Sequence, residues 1–210
     1  MDLNDFLSFT GVAFSVLFPL INPVGAIPAF SGLTANDTSQ FRSGQARKSA
    51  VNVTIILVTF FFIGELLLNL FGITIGVLQI AGGLIVANTA WQMVIAKSPS
   101  DDPANNNKIQ NVDISFMPMA MPILSGPGAI GAVIGLSIEA KHFEEYAGFV
   151  VGILLIGLVT YLCLILSIPV MNKLGKNGIN ILTRMMGFFI LAIAVNLIYR
   201  GVLDLIHRAL

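Results

Sequence analysis

The sequence predicts an all-α membrane protein of six transmembrane helices, arranged as two inverted three-helix repeats whose first and fourth helices are broken by Pro-Gly motifs. Three observations lead there. Hydrophobic residues make up 56% of the 210 positions and charged residues only 10%, against about 25% charged in an ordinary soluble domain. Six stretches approach the ~20 apolar residues that a bilayer-spanning helix needs. The two halves of the chain also resemble each other. The expected organisation is one transmembrane domain over 1–210: a first repeat at 1–96, a cytoplasmic linker at 97–113 and a second, inverted repeat at 114–210.

The first stretch, 6–30, contains Pro19, Pro23 and Pro28. Asp2 and Asp5 precede it without a Lys or Arg, so the positive n-region of a cleaved secretory signal is missing and the segment is expected to remain as a helix. A polar joint at 31–49 carries Arg42, Arg47 and Lys48 and leads to the second stretch, 50–70. A tight hairpin at 69–72 opens the third, 73–96. The joint 97–113 is rich in Asn, Asp and Pro and reads as a mobile tether. The fourth stretch, 114–138, holds Pro118, Pro122 and the run Ser125-Gly126-Pro127-Gly128. A short acidic joint at 139–145 precedes the fifth, 146–170, and a joint at 172–183 with Lys173 and Lys176 precedes the sixth, 184–205.

Lys and Arg mark the cytoplasmic side of a membrane protein. The first, third and fifth joints hold Arg42, Arg47, Lys48, Lys97, Lys108, Lys173, Lys176 and Arg184; the other side holds only Lys141, Arg200 and Arg208. Both termini are therefore expected on the outer face.

Residues 19–28 (PLINPVGAIP) lie over residues 122–131 (PILSGPGAIG) without a gap, and Gln79-Ile80-Ala81-Gly82 echoes Arg184-Met185-Met186-Gly187. A unit with an odd number of spans must insert its second copy upside down. Two such copies are inverted repeats, an architecture common among secondary transporters.

The matched motifs carry the candidate site: Asn22, Pro23, Val24 and Gly25 in one copy, and Ser125, Gly126, Pro127, Gly128 and Ala129 in the other. Proline removes a backbone donor and clashes with the preceding turn, so each motif should split its helix. The freed N–H and C=O groups cannot face hydrocarbon and must turn to protein or a water-filled cavity. One half-helix then offers N–H groups and a positive dipole end to a carboxylate. The other offers carbonyls to an ammonium group or a cation. Asn22 and Ser125 stand at matching positions, suited to cap the half-helices. The plainer reading, prolines that merely shape packing, suits Pro19, Pro28, Pro118 and Pro122 better than the paired clusters.

Further contributors are Asn88 and Asn196, which suit interhelical glue somewhat better than ligand contact, and Glu65, which serves equally as an interfacial acid or a proton carrier. Pairs such as Gly72/Gly76, Gly131/Gly135 and Gly148/Gly152 have the spacing that lets helices approach closely. Cys163 reads as apolar filler, and His142 and His207 as solvated. No nucleotide-binding loop, metal motif or acid–base cluster is present in the sequence, and net charge is zero, so an enzyme, a resident cofactor or metal, and a nucleic-acid partner are not expected.

At Asn22-Pro23-Val24-Gly25-Ala26-Ile27-Pro28, Gly72-Ile73, Ile80-Ala81-Gly82-Gly83, Gly126-Pro127-Gly128-Ala129-Ile130 and Arg184-Met185-Met186-Gly187, the chain resembles the MarC family of bacterial and archaeal inner-membrane proteins. The likeness runs from the first helix to the last. One member of that family transports small neutral amino acids such as glycine and alanine, and the family is distantly similar to the LysE-type exporters. The resemblance thus implies a broken-helix site for a small zwitterion in the cytoplasmic membrane. This sequence departs from the family pattern where Gln79 stands in place of a common Arg, and around Trp91, Gln92 and Asn196. The expectation is a secondary transporter in the lipid bilayer, coupled to H⁺ through Glu65 or to Na⁺ through backbone carbonyls. An exporter of another metabolite and a passive channel are the alternatives, and oligomeric state is left open.

Overall fold

The computed structural model describes residues 3–95 and 112–209, and every regular element among them is helical. Residues 96–111, which hold nearly all of the joint expected at 97–113, lie outside the described residues. In chain order the helices are α1 (Leu3–Ile21), α2 (Ala26–Leu33), α3 (Ser39–Phe71), α4 (Ile75–Ile95), α5 (Pro127–Glu139), α6 (Phe143–Ile165) and α7 (Ser167–Ala209). A loosely wound segment, Ser115–Leu124, leads into α5.

Among the described residues four helices, counting Asn177–His207 of α7, are long and apolar enough to cross a membrane. Two bent pairs raise the number to six if each pair is one span: α1 with α2, bent by 54°, and Ser115–Leu124 with α5, bent by 70°. Large apolar side chains such as Leu66, Leu70 and Phe188 stand exposed on the outer surface, as a hydrocarbon solvent permits.

The helix ends differ from the expected joints. The joint expected at 31–49 shrinks to a few residues, because α2 runs to Leu33 and α3 begins at Ser39. Thr38 caps α3, its hydroxyl accepting from the Phe41 N–H at 3.3 Å. Arg42 reaches back to the end of α2, donating to the carbonyls of Thr34 (2.8 Å) and Asp37 (3.1 Å). A cation on those last carbonyls is favoured by the helix dipole. The joint expected at 172–183 is also helical, interrupted at Gly175 with φ 63°. In both places hydropathy marks where the membrane ends, whereas the helix continues through polar residues that favour or tolerate it. The fourth stretch departs the other way. Met117 and Met121 precede prolines and adopt extended backbone angles, as the proline ring demands of its neighbour, so this part is more than a kinked helix. The hairpin expected at 69–72 is present. Gly72 adopts φ 64°, which glycine accommodates without strain, and the Ile73 N–H returns to the Leu68 carbonyl at 2.9 Å.

Packing follows small residues. Helices α4 and α7 run antiparallel along a seam of Gly76, Gly83 and Ala90 against Gly201, Ala194 and Gly187. A Cβ added at Gly76 would lie 2.8 Å from the Gly201 carbonyl oxygen, at Gly83 3.0 Å from that of Ala194, and at Gly187 3.1 Å from that of Ala90. Gly148 and Gly152 do the same for α6 on α1, with the carbonyl oxygens of Phe6 and Thr10 each 2.9 Å from a notional Cβ. The Thr10 hydroxyl donates to the Gly148 carbonyl at 3.1 Å across that contact. Helix α3 receives both α6 and the Ser115–Leu124/α5 pair, while α2 touches α7 and α5 touches α4. The buried core of Leu17, Phe30, Leu57, Phe61, Phe149 and Ile153 sits among α1, α2, α3 and α6.

A polar stripe on α3 holds the start of the fourth stretch. The buried Gln45 amide oxygen accepts from the Ile114 N–H at 3.0 Å, and the Asn52 amide donates to the Ser115 hydroxyl at 3.4 Å. Lys48 pairs with Asp113 at 2.8 Å. Asp113 also accepts from the Ser115 hydroxyl (2.6 Å) and N–H (3.0 Å). The bond from Lys48, then those from Ser115, hold this carboxyl well below the usual carboxylate range.

Gly201→Ala should cost about 1–3 kcal/mol by forcing α4 and α7 apart. Gly44→Ala, where a Cβ meets nothing within 4 Å, should instead stabilise the helix by about 0.4–1 kcal/mol. Unfolding of the purified variants in detergent compares the two. Asp113→Asn should cost about 0.5–1 kcal/mol at neutral pH, the range of an exposed ion pair. Because the folded-state pKa is depressed, the carboxylate's contribution is present above its ordinary value of about 3.9 and is lost as pH falls below it. The gap between wild type and variant should therefore close on acidification, in unfolding curves taken across that range.

Candidate functional site

The end of α1 and the start of α5 face one another across a cavity of about 310 Å³, with α4 as a third wall and Ile190 of α7 closing one side. Each part is shaped by local chemistry. Asn22 has φ 49°, a left-handed conformation that asparagine tolerates better than most residues. Its side-chain oxygen accepts from the Gly25 N–H at 3.0 Å, replacing a backbone partner at the start of α2. Its amide nitrogen lies 3.8 Å from the Met93 sulfur, so this one side chain bridges the interruption and α4. A side chain at Gly25 would overlap that amide.

On the opposite wall Gly126 is extended and Pro127 opens α5 without a side-chain cap. The first intrahelical bond there runs from the Ile130 N–H to the Gly126 carbonyl at 3.1 Å. The N–H groups of Gly128 and Ala129 therefore have no acceptor within the helix, and they sit at its positive end. Gly128 is pressed on α4: a Cβ there would overlap a methyl of Val86. Leu20 and Ile21, in the last turn of α1, line the same cavity, and the last carbonyls of a helix have no donor within it. Thr89 adds a hydroxyl, which donates to its own helix at Ile85 (3.1 Å) and retains lone pairs. Among the described residues no charged side chain lines this cavity. Its inventory is one positive helix end, one negative helix end, an amide and a hydroxyl in an otherwise apolar wall. Its volume is at the small end of the about 300–1,000 Å³ typical of ligand pockets.

Of the residues singled out in the sequence, the structure brings together Asn22, Gly25, Gly126, Pro127, Gly128 and Ala129 on this cavity. Pro23 is buried beside it, and Val24 turns to α7, next to Ile179 and Met186. Ser125 is fully buried, and its hydroxyl has no hydrogen-bond partner among the described residues. Its N–H donates to the Ala120 carbonyl at 2.7 Å. Three residues stand elsewhere. Asn88 and Asn196 are exposed on the outer faces of α4 and α7. Glu65 lines a separate cavity with Asn69, Gly72 and Thr74 at the α3–α4 hairpin. The sequence reading missed Val86, Thr89 and Met93. Their signal was a three- and four-residue spacing that shares the Gly82 face of α4.

Among the described residues no group of three His, Cys, Asp or Glu side chains is placed to hold a metal ion. No solved structure matches the chain significantly. The family model described as MarC family integral membrane protein matches residues 7–206. The chain is 34% identical to the UPF0056 inner membrane protein MarC of Salmonella typhimurium, over 97% of this chain and 98% of that protein. It is 35% identical to a UPF0056 membrane protein of Methanocaldococcus jannaschii, over 96% of this chain and 98% of that protein. With a match from the first helix to the last, the chain belongs to the MarC family of integral membrane proteins.

Proposed function

We propose that this protein is a secondary transporter carrying a small neutral, zwitterionic amino acid such as glycine or alanine across the cytoplasmic membrane by alternating access. The observation that carries the reading is that both helix interruptions open onto one small cavity without a charged side chain. A carboxylate fits the N–H groups of Gly128 and Ala129 at the start of α5. An ammonium group fits the α1 carbonyls, with the Asn22 amide oxygen and the Thr89 hydroxyl beside them. A dipolar solute with no net charge then meets two half-helix ends of opposite sign. The resemblance to an amino-acid-transporting relative points to the same class of solute.

In this reading each bent pair is a single broken span, and the six spans form two inverted repeats with both termini on the outer side. The packing pattern supports it. Exchanging first with fourth, second with fifth and third with sixth span turns the α1–α6 contact into that of Ser115–Leu124 and α5 on α3. The same exchange turns the α2–α7 contact into α4–α5, while α3–α6 and α4–α7 map onto themselves. Rocking one set of spans against the other would open the cavity to each side in turn. A passive channel needs a continuous polar path, and the walls at Ile85, Val86, Ile123 and Ile190 are apolar. An exporter of a different dipolar metabolite would use the same geometry. H⁺ coupling through Glu65 would have to act from outside this cavity, whereas Na⁺ would use carbonyls within it.

Purified protein in proteoliposomes should show saturable counterflow of labelled alanine or glycine, with imposed pH and Na⁺ gradients separating the two couplings. Absence of exchange for every neutral amino acid, from folded protein, contradicts the substrate assignment. Gly128→Ala should lower transport about tenfold or more, the scale of one extra methyl group in a close-fitting pocket. Adding Val86→Ala should restore part of it, since the overlapping methyl is then removed. Wild-type rates in Gly128→Ala would show that the close fit of α5 on α4 does not shape the site.

A further inference from the structure

A second groove lies on the outer surface between α3 and α6, away from the central cavity, with a volume of about 310 Å³. Its floor exists because residue 157 has no side chain: a Cβ at Gly157 would overlap the Thr54 hydroxyl. Its walls are aliphatic and open to the surroundings, with Val51 and Ile55 on α3 and Leu154 and Leu158 on α6 each about half exposed. Two lining residues break this pattern, Arg47 and Tyr161.

The register of the two helices puts both at the same end. Phe61 of α3 packs on Tyr146 and Phe149 of α6, with ring centroids 5.7 and 6.1 Å apart. Further along, Gly157 lies against Ala50 and Thr54. The helices are therefore antiparallel. Tyr161, one turn beyond Gly157, comes level with Arg47, about one turn before Ala50. This is the end of α3 where the apolar run gives way to polar residues.

The charges around Arg47 are otherwise engaged. Lys48 pairs with Asp113, and Arg42 is held by the carbonyls of Thr34 and Asp37. Arg47 is exposed and makes no hydrogen bond or ion pair with another described residue. An aliphatic groove running into the membrane, closed at its polar end by a guanidinium and a phenol, complements one chemistry. The long apolar walls suit an acyl chain, and the guanidinium suits the phosphate of a headgroup that carries no cation of its own, which it can grip through two parallel N–H donors. Basic pockets between membrane helices bind anionic headgroups in this way.

We propose that the α3–α6 groove is a binding site for one anionic phospholipid, with an acyl chain lying along Val51, Ile55, Leu154 and Leu158 and the headgroup phosphate on Arg47. The site is independent of the transport reading, and its test does not use transport. Native mass spectrometry of the purified full-length protein, with equal amounts of palmitoyl-oleoyl phosphatidylglycerol and phosphatidylcholine, reads lipid retention directly. Wild type should retain one phosphatidylglycerol in preference to phosphatidylcholine. Arg47→Gln should lower that retention about fivefold, the scale of one Arg contact with an anionic surface, and lower retention of phosphatidylcholine, whose phosphate is offset by its own choline cation, by less. Leu158→Trp, which fills the groove without altering charge, should lower retention of phosphatidylglycerol as well. Circular dichroism of each variant establishes that it is folded. Equal retention of the two lipids by wild type overturns the proposal, as does undiminished phosphatidylglycerol binding in either folded variant.

Discussion

A peptide group inside a bilayer has to find a hydrogen-bond partner within the protein or in enclosed water, because hydrocarbon offers none. That constraint organises this molecule. Between Ile21 and Ala26, and again between Leu124 and Pro127, the chain leaves the helix. At the first interruption the freed Gly25 N–H is taken by the Asn22 side chain. At the second, the Ser125 N–H reaches back five residues to Ala120. Part of the first turn of α5 is left without such an acceptor in its own helix, and that turn borders the cavity. The same absence of partners that is costly in lipid is useful where a ligand can supply them.

Such a cavity needs rigid surroundings, and these come from residues with almost no side chain. The α4–α7 seam brings backbones so close that a single added methyl would strike a carbonyl oxygen. Association between helices in lipid draws on van der Waals contact rather than on a hydrophobic force, so close approach is a main source of cohesion there. The seam fixes α4, and α4 presents Val86, Thr89 and Met93 to the cavity. Gly128 then allows α5 to lie directly on Val86. Substitutions far from a ligand can therefore act on the site by tilting α4.

Much of this was legible in the sequence, for identifiable reasons. Composition and apolar length specify an all-helical membrane protein, and Asn69–Gly72 reads as a hairpin because glycine supplies the left-handed end that α3 needs. The helix ends were less legible, since Arg42, Gln45 and Lys48 look like a joint until their partners at Thr34, Ile114 and Asp113 are seen. The α4 wall was hidden by rotation. Asn88 draws the eye, yet its neighbour Thr89, about 100° round the helix, is the one at the cavity. The seven-residue spacing of Gly76, Gly83 and Ala90 falls outside the four-residue glycine pattern, and which face a glycine serves depends on a partner distant in sequence. Nothing in the sequence marks the Ser125 hydroxyl as buried without a partner among the described residues.

The central claim is that the space between the two interruptions is a ligand site reached from both sides of the membrane. Thr89 lines that space and Cys163 is the sole cysteine, so a Thr89→Cys variant in a Cys163→Ser background places one thiol there. The most direct measurement is its rate of modification by a membrane-impermeant thiol reagent, applied from either face of reconstituted vesicles with and without alanine. Modification from both faces, slowed by saturating alanine, is the expected result. Modification from one face only, at a rate indifferent to every neutral amino acid, would contradict it.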